Sequence, residues 1–302
     1  MQTSTLKWHI LGAGAIGSLW AAYAFKHSSD ATLLLRDDAR LAEYERAGGI
    51  LATLAGGAEL LPLPAQSCQQ QGEPIHQLLL TTKAVDSLVA VRHIAPRLAQ
   101  GATVVLLQNG LGVKEELLAL RPDLSCYHAV TTEGAYRPAP FQLIHAGRGH
   151  TLLGGGPHAA TLAESLNAGP LQVSATDDID TALWRKLAVN CAINPLTALY
   201  RCRNGELLDN PLALQQLHQV IDEILAFGNK TRTADRFEGL REQVLKVAND
   251  TALNRSSMLQ DINAGRQSEI DYITGYFCQA AESAGCECPV NRQLFERVKA
   301  IA

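Results

Sequence analysis

A chain of 302 residues with 47% hydrophobic side chains exceeds the usual size of one domain and can bury two separate cores. Its 26 basic and 30 acidic side chains leave a net charge of −4 without a dense Lys/Arg cluster, which excludes nucleic acid and an anionic membrane surface as expected partners. The seven cysteines are odd in number and scattered, a pattern that fits a reducing compartment rather than a disulfide framework.

No metal is expected at Cys286-Glu287-Cys288, because no second Cys or His pair follows at ligand spacing. The N-terminal run meets glycines before reaching signal-peptide length, and no segment offers about 18 uninterrupted apolar residues. A cytoplasmic protein acting on a small molecule is the expectation.

In chain order, Lys7 to Leu11 reads as a short buried strand, Ser18 to Ser28 as an amphipathic helix and Ala31 to Arg36 as a second strand. Between the first two lies Gly12-Ala13-Gly14-Ala15-Ile16-Gly17, a G-x-G-x-x-G in the strand–turn–helix setting that gives it meaning. Gly12 permits the tight turn, Gly14 lets backbone approach a pyrophosphate and Gly17 lets the helix pack on the strand; the helix N-terminus faces the phosphate charge. Dinucleotide binding follows. Where an NAD site would place Asp or Glu, Arg36 stands at the end of the second strand, and its forked donors suit a 2′-phosphate, favouring NADPH. The alternative, with Asp37 on the ribose and Arg36 solvated, stays open at this level.

Two further apolar strands end at Thr81-Thr82-Lys83 and Gln108-Asn109-Gly110. Polar residues beyond the carboxyl ends of such strands are where open α/β sheets bind ligands, so Lys83 and Asn109 are candidates; ordinary turn chemistry is the alternative for both and, for Asn109-Gly110 taken alone, the better explanation. Residues from Tyr127 to Pro157 read as short strands and turns completing this domain.

From about Asp177 the pattern becomes long and helical. The expected division is a Rossmann-type α/β domain over residues 1–176 and a mostly α-helical domain over 177–302. Within the latter, Ala182 to Leu199 is apolar nearly all round a helix yet carries Lys186, Asn190 and Asn194 four apart. At about 100° per residue these fall within roughly 80° of one another and form one polar stripe, which needs partners, water or a ligand to face. A pocket wall and an interdomain polar network both satisfy that need. Pro195 is expected to kink or interrupt the helix. Toward the end, Ser257 and Asp261 share a helical face, Gly265 breaks that helix, and Ser268 to Asp271 has the form of a capping box that would place Glu269 in a first helical turn.

GAGAIG, QNG at Gln108 to Gly110, LWRKLAVNCAINPLTAL across Leu183 to Leu199, NGEL at Asn204, SSMLQDI and EIDYI together resemble the ketopantoate reductase (2-dehydropantoate 2-reductase) family along essentially the whole chain. The resemblance implies a second domain like the C-terminal domain of 6-phosphogluconate dehydrogenase, and NADPH-dependent reduction of 2-dehydropantoate to (R)-pantoate, a step of pantothenate and coenzyme A biosynthesis. It makes Lys186 the general acid and Glu269 the carboxylate that orients the Lys and the nicotinamide ribose. Asn190, Asn194, Asn204 and Ser257, in a segment beginning at Asn254, become substrate contacts. Asn109 touches both substrate and cofactor. Arg36 and Lys83 match cofactor-contacting positions, as Ala135 does more loosely.

Such a reaction leaves charge on the former carbonyl oxygen, which a protonated Lys186 meets, while the amides and the Ser257 hydroxyl hold the substrate without added charge. Leu183 and Leu187 would flank the stripe as an apolar wall for a branched carbon. With cofactor on one domain and acid on the other, the site would lie in the cleft between them. The expected partner is thus a small-molecule substrate, with no nucleic acid or membrane, for a monomer or homodimer. A reductase of another 2-oxo acid or imine, and a non-catalytic NADP sensor, are the alternatives.

Overall fold

Parallel strands covered on both faces are unbroken apolar runs, and β1 (Trp8–Leu11) is buried along its whole length. The computed structural model describes residues 6–27 and 29–301, so Ser28, at the end of the expected first helix, lies outside it. The chain continues through α1 (Ala15–Lys26), β2 (Ala31–Leu35), α2 (Asp38–Ala47), β3 (Ile50–Leu54), β4 (Gly57–Leu61), β5 (Ala65–Ser67), β6 (Ile75–Leu80), α3 (Ala84–Ile94) and β7 (Leu98–Leu106). Then come α4 (Val113–Leu120), β8 (Ser125–Thr131), β9 (Gly134–Tyr136), β10 (Gln142–Gly147), β11 (Thr151–Gly154), α5 (Ala159–Leu166) and β12 (Val173–Ala175).

The main sheet has the order β12-β11-β8-β7-β6-β1-β2-β5. Its strands from β5 across to β8 are parallel, and β11 enters antiparallel against β8 with Leu152 opposite Val130. Strand order reverses at β1 and β6, so the carboxyl ends of these two strands border the crevice where doubly wound sheets bind ligands. A second sheet, β4-β3-β10-β9, takes β9 and β10 from the stretch expected to form short strands, while β3 and β4 have no counterpart in the sequence-based expectations. Its strands are short and half-exposed: in β3 Ile50 and Ala52 are buried while Leu51 and Thr53 are exposed, and the run is only five residues long.

After β12 the chain is helical: α6 (Ile179–Tyr200), α7 (Glu206–Asp209), α8 (Pro211–Thr231), α9 (Leu240–Asp250), α10 (Ser257–Asn263), a π-turn (Asp271–Gly275), α11 (Tyr276–Ser283) and α12 (Pro289–Lys299). The start of α8 shows why these form: Asn210 accepts from the amides of Leu212 and Ala213, Pro211 occupies the first turn, and Leu217, Val220, Ile221 and Ile224 make a buried stripe.

Pro195 does not interrupt α6, which runs on to Tyr200. The ring removes one backbone donor, but Cys191, Ala192, Ile193, Leu196 and Ala198 are buried on either side of it, and that packing outweighs one lost hydrogen bond. All seven cysteines are free. Scattered in sequence, Cys278 and Cys288 nevertheless meet thiol to thiol, and burial together with that contact pushes the Cys278 thiol up. No helix among the described residues is long and apolar enough to cross a membrane.

The chain separates into two compact units, one comprising residues up to Gln108 with Val113–Ile179, the other Asn109–Gly112 with the residues from Asp180 onward. The turn after β7, counted from sequence with the α/β half, therefore clusters with the helices. A specific interaction holds it there: the Leu111 amide donates to the Tyr272 carbonyl at 2.8 Å.

Candidate active site

In the α/β unit the glycine turn is locked from below. The Thr81 hydroxyl lies 3.0 Å from the Leu11 carbonyl and 2.9 Å from that of Gly12, a shared bond that fixes the turn leaving β1. A Cβ on Gly17 would sit 2.0 Å from the Gly12 oxygen and 2.3 Å from Thr81 Oγ1, so this position is glycine for the protein's own packing. Gly14 differs. A Cβ there would meet no protein atom nearer than the Thr81 oxygen at 3.9 Å, so its reason for being glycine lies outside the chain. It is also the N-cap of α1, which has no side-chain cap and no acidic residue in its first turn. Uncapped helix amides beside a side-chain-free position fit a pyrophosphate.

Arg36, at the end of β2, has a side chain 80% exposed and is paired with Asp37 at 2.8 Å. Asp37 is itself committed, accepting from the Arg40 amide at 2.8 Å as the N-cap of α2. This dual engagement holds the Asp37 carboxyl below its usual range, the Arg36 guanidinium being the larger cause. Lys83 occupies the N-cap of α3, where its carbonyl accepts from the Ser87 hydroxyl at 2.8 Å. Ser87 Oγ in turn accepts from Gln108 Nε2 at 2.6 Å and lies 2.9 Å from Thr82 Oγ1, so one buried hydroxyl ties the ends of β6 and β7 together. Ala135 lies in β9 opposite His145. Arg137, one residue beyond β9, donates to the Ala13 carbonyl of the glycine turn. An exposed Arg gives no sign of this contact in sequence, since only the pairing of β9 with β10 places it.

In the helical unit, α6 rests one side on an aromatic cluster in which Trp184 meets Phe227, Tyr276 and Phe237 at ring separations of 5.2, 6.0 and 6.3 Å. Lys186 and Asn190 are half-buried and Asn194 is buried, as a stripe on an otherwise apolar helix requires. Burial pulls the Lys186 ammonium down to about 8, and the Glu269 carboxylate opposes that shift. Glu269 is buried, and its Oε2 also receives Asn109 Nδ2 at 3.4 Å. Lys186, Glu269 and Asn109, far apart in the chain, are thus one cluster. Leu183 and Leu187 are buried at 9% and 2% exposure, so Leu187 is spent on the core rather than offered as a wall.

The capping box expected at Ser268 to Asp271 does not form. Asp271 is drawn away to Lys299 Nζ at 2.8 Å, the buried Ser268 hydroxyl has no hydrogen-bond partner among the described residues, and the chain enters a π-turn closed by Gly275 N to Ile270 O at 2.9 Å. Glu269 therefore precedes a widened turn, its side chain directed at Asn109 and coupled to Lys186, instead of serving in the first turn of an α-helix. Asn204 is buried and donates to Thr251 Oγ1 at 2.8 Å, its amide also joining the Asn254 carbonyl at 3.0 Å. Asn204 Oδ1 is left without a partner among the described residues, while Asn254 and Ser257 are exposed. Asp261, on the Ser257 face of α10, is buried and paired with Arg266 at 3.1 Å.

A family model described as ketopantoate reductase PanE/ApbA matches residues 8–158, and its C-terminal counterpart matches 178–302. The chain belongs to the ketopantoate reductase family. It is similar to the 2-dehydropantoate 2-reductase of Vibrio cholerae, 34% identical over 97% of this chain and 96% of the relative. Among solved structures, the ketopantoate reductase of Ralstonia eutropha superposes with a TM-score of 0.87 at 26% identity, covering 98% of each chain. A D-mandelate dehydrogenase solved with NADH and anilino(oxo)acetate has a TM-score of 0.89 at 24% identity over 98% of each chain, a likeness of fold. Ketopantoate reductases are dinucleotide-dependent enzymes, and the uncapped α1 with its open Gly14 suits that requirement.

The Lys186–Glu269 coupling sets the sign of a pH effect. An ammonium with a pKa of about 8 is charged below that pH, so any turnover that draws its proton from Lys186 should decline as pH rises through about 8. Because Glu269 raises the value, Glu269→Gln should move this alkaline limb to lower pH; a pH–rate profile with an unmoved limb would show that Glu269 does not tune the lysine.

Proposed function

We propose that this chain reduces 2-dehydropantoate to (R)-pantoate with NADPH, within pantothenate and coenzyme A biosynthesis. The observation that carries this reading is the Lys186–Glu269–Asn109 cluster beside the amide-bearing face of α6, in a chain of this family. When bound, the reduced nicotinamide supplies the hydride.

Every other contribution comes from the protein. The Lys186 ammonium hydrogen-bonds the substrate's ketone oxygen, polarises it, and gives up a proton as negative charge develops there. A value near 8 leaves the amine charged at neutral pH while making it a better proton donor than an exposed lysine. Glu269 keeps the amine protonated and aimed. Asn190 and Asn194 hold the substrate's hydroxyl and carboxylate, Ser257 adds a hydroxyl, and Asn109 couples substrate to cofactor; Asn204 offers its unpartnered Oδ1 and braces the segment that begins at Asn254. The Gly12–Gly17 turn cradles the pyrophosphate, Lys83 and Ala135 line the nucleotide, and Arg36 takes the 2′-phosphate. The proposed domains are the nucleotide-binding residues 1–176 and the catalytic residues 177–302.

Following NADPH oxidation with 2-dehydropantoate against a panel of other 2-oxo acids tests the reading, with the highest kcat/KM expected for 2-dehydropantoate. A clear preference for another acid would replace the substrate, and no turnover on any would leave a nucleotide sensor. For the cofactor, Arg36→Ala should weaken NADPH on the order of tenfold or more, the cost of a charge-assisted bond, and leave NADH nearly unchanged. Equal losses for both nucleotides would remove Arg36 from the 2′-phosphate.

A further inference from the structure

Of the two adjacent serines that open α10, the one matched to substrate binding is exposed, and the other is the one the fold engages. Ser256 is 6% exposed and caps the helix, its Oγ accepting from the Leu259 amide at 3.1 Å. The same oxygen lies 2.6 Å from Oγ1 of Thr197, a fully buried residue of α6 that is 59 positions away in sequence. Thr197 Oγ1 in turn lies 2.9 Å from the carbonyl oxygen of Asn194 and 3.1 Å from that of Ile193.

The Thr197 hydroxyl is the donor in this group: its proton is directed at Ser256 Oγ, which also accepts the Leu259 N–H, and is shared with the Asn194 and Ile193 carbonyls of its own helix. A buried hydroxyl without such acceptors would be costly. Thr197 therefore ties the first turn of α10 to the turn of α6 that carries Asn194.

We propose that Thr197 and Ser256 are positioning residues that hold Ser257 in register with Asn194, and so set the affinity for the oxo acid. This rests on the functional reading above, in which Ser257 and Asn194 are substrate contacts. The local structure gives the clasp its importance. Helix α10 spans only Ser257–Asn263, and the chain reaches it through Leu253, Asn254 and Arg255, which are all exposed. Met258 and Leu259 bury this first turn, Ser256 supplies its hydrogen bond to α6, and a displacement at Ser256 passes to the next residue.

The test compares Thr197→Val, which keeps the shape and loses the hydroxyl, with Thr197→Ser, which keeps the hydroxyl. Losing one buried hydrogen bond of the series should raise KM for 2-dehydropantoate about five- to tenfold, with kcat and KM for NADPH within about twofold of the parent. Thr197→Ser should restore KM, and in a Ser257→Ala background Thr197→Val should add nothing. If Thr197→Val does not fold, Ser256→Ala, which leaves the Thr197 to Asn194 bond in place, should give the same split. A lowered Tm with unchanged KM would reduce the clasp to packing, and independent multiplication of the Thr197 and Ser257 effects would equally overturn it. Should the parent enzyme turn over a different 2-oxo acid instead, the substrate reading fails, while the clasp is judged by the same comparison on that acid's KM.

Discussion

Lys186→Ala is expected to lower turnover of 2-dehydropantoate by about 10²–10⁴-fold, the range a positioned general acid contributes, while Kd for NADPH changes less than about twofold. The two readouts separate because Lys186 belongs to the helical unit and the glycine turn to the α/β unit. Steady-state kinetics and a nucleotide fluorescence titration measure them. Near-normal turnover in the variant would remove Lys186 as the acid.

Stability supplies an independent reading of the same side chain. The amine titrates at about 8 in the folded protein against the ordinary 10.5, so between these values the unfolded chain binds more protons than the native one. Stability should therefore rise with pH across that window and be lowest in this respect below about pH 8. Lys186→Met, which retains length without charge, should flatten that slope and raise Tm at neutral pH. Activity lost from a protein at least as stable as its parent is the mark of a functional lysine.

Gly17→Ala should damage the α/β unit severely. Its Cβ would stand 2.0 Å from the Gly12 carbonyl oxygen, a backbone atom with no freedom to retreat because Gly12 is itself pinned by Thr81. Overpacking of this kind costs about 1–3 kcal/mol, and a displaced turn of about 1 Å can cost 10²-fold in kcat/KM. Gly14→Ala is the control. With no protein atom closer than 3.9 Å, its methyl group should leave Tm unchanged and weaken the dinucleotide alone. Thermal melts beside nucleotide titrations distinguish the two positions; equal destabilisation by both would show that Gly14 serves the fold and not the ligand.

The glycine turn was legible because its chemistry is local: a strand, a turn and a helix start within a few consecutive residues are enough to define it. The Lys186, Asn190 and Asn194 stripe was legible for a similar reason, since helical periodicity puts residues four apart on one face whatever else the chain does. Arg36 was visible as a cation at the end of β2. That its neighbour Asp37 is occupied as the cap of α2 required the helix to be in place.

Other features were illegible because the deciding partner is distant. The motif from Ser268 to Asp271 has the spacing of a capping box, but Lys299 holds Asp271, and the half-buried Lys186 and Asn109 claim Glu269, and local propensity yields to both. Pro195 reads as a kink or an interruption, yet α6 runs through it to Tyr200. Ser256 and Thr197 are ordinary hydroxyl residues until α10 and α6 bring them within 2.6 Å.

The amino-acid sequence by itself determined the glycine turn between strand and helix, the succession of an α/β half and a helical half, and the identity of the lysine and amides on one helical face, because periodicity and turn chemistry act over a few residues. Only the tertiary structure decided what other polar groups do there: that Asn109 joins the helical unit and reaches Glu269, and that Ser256 ties α10 to α6. The reason is energetic, since a buried polar group must find its partner wherever the chain supplies one, and that partner is set by packing across the fold rather than by its neighbours in sequence.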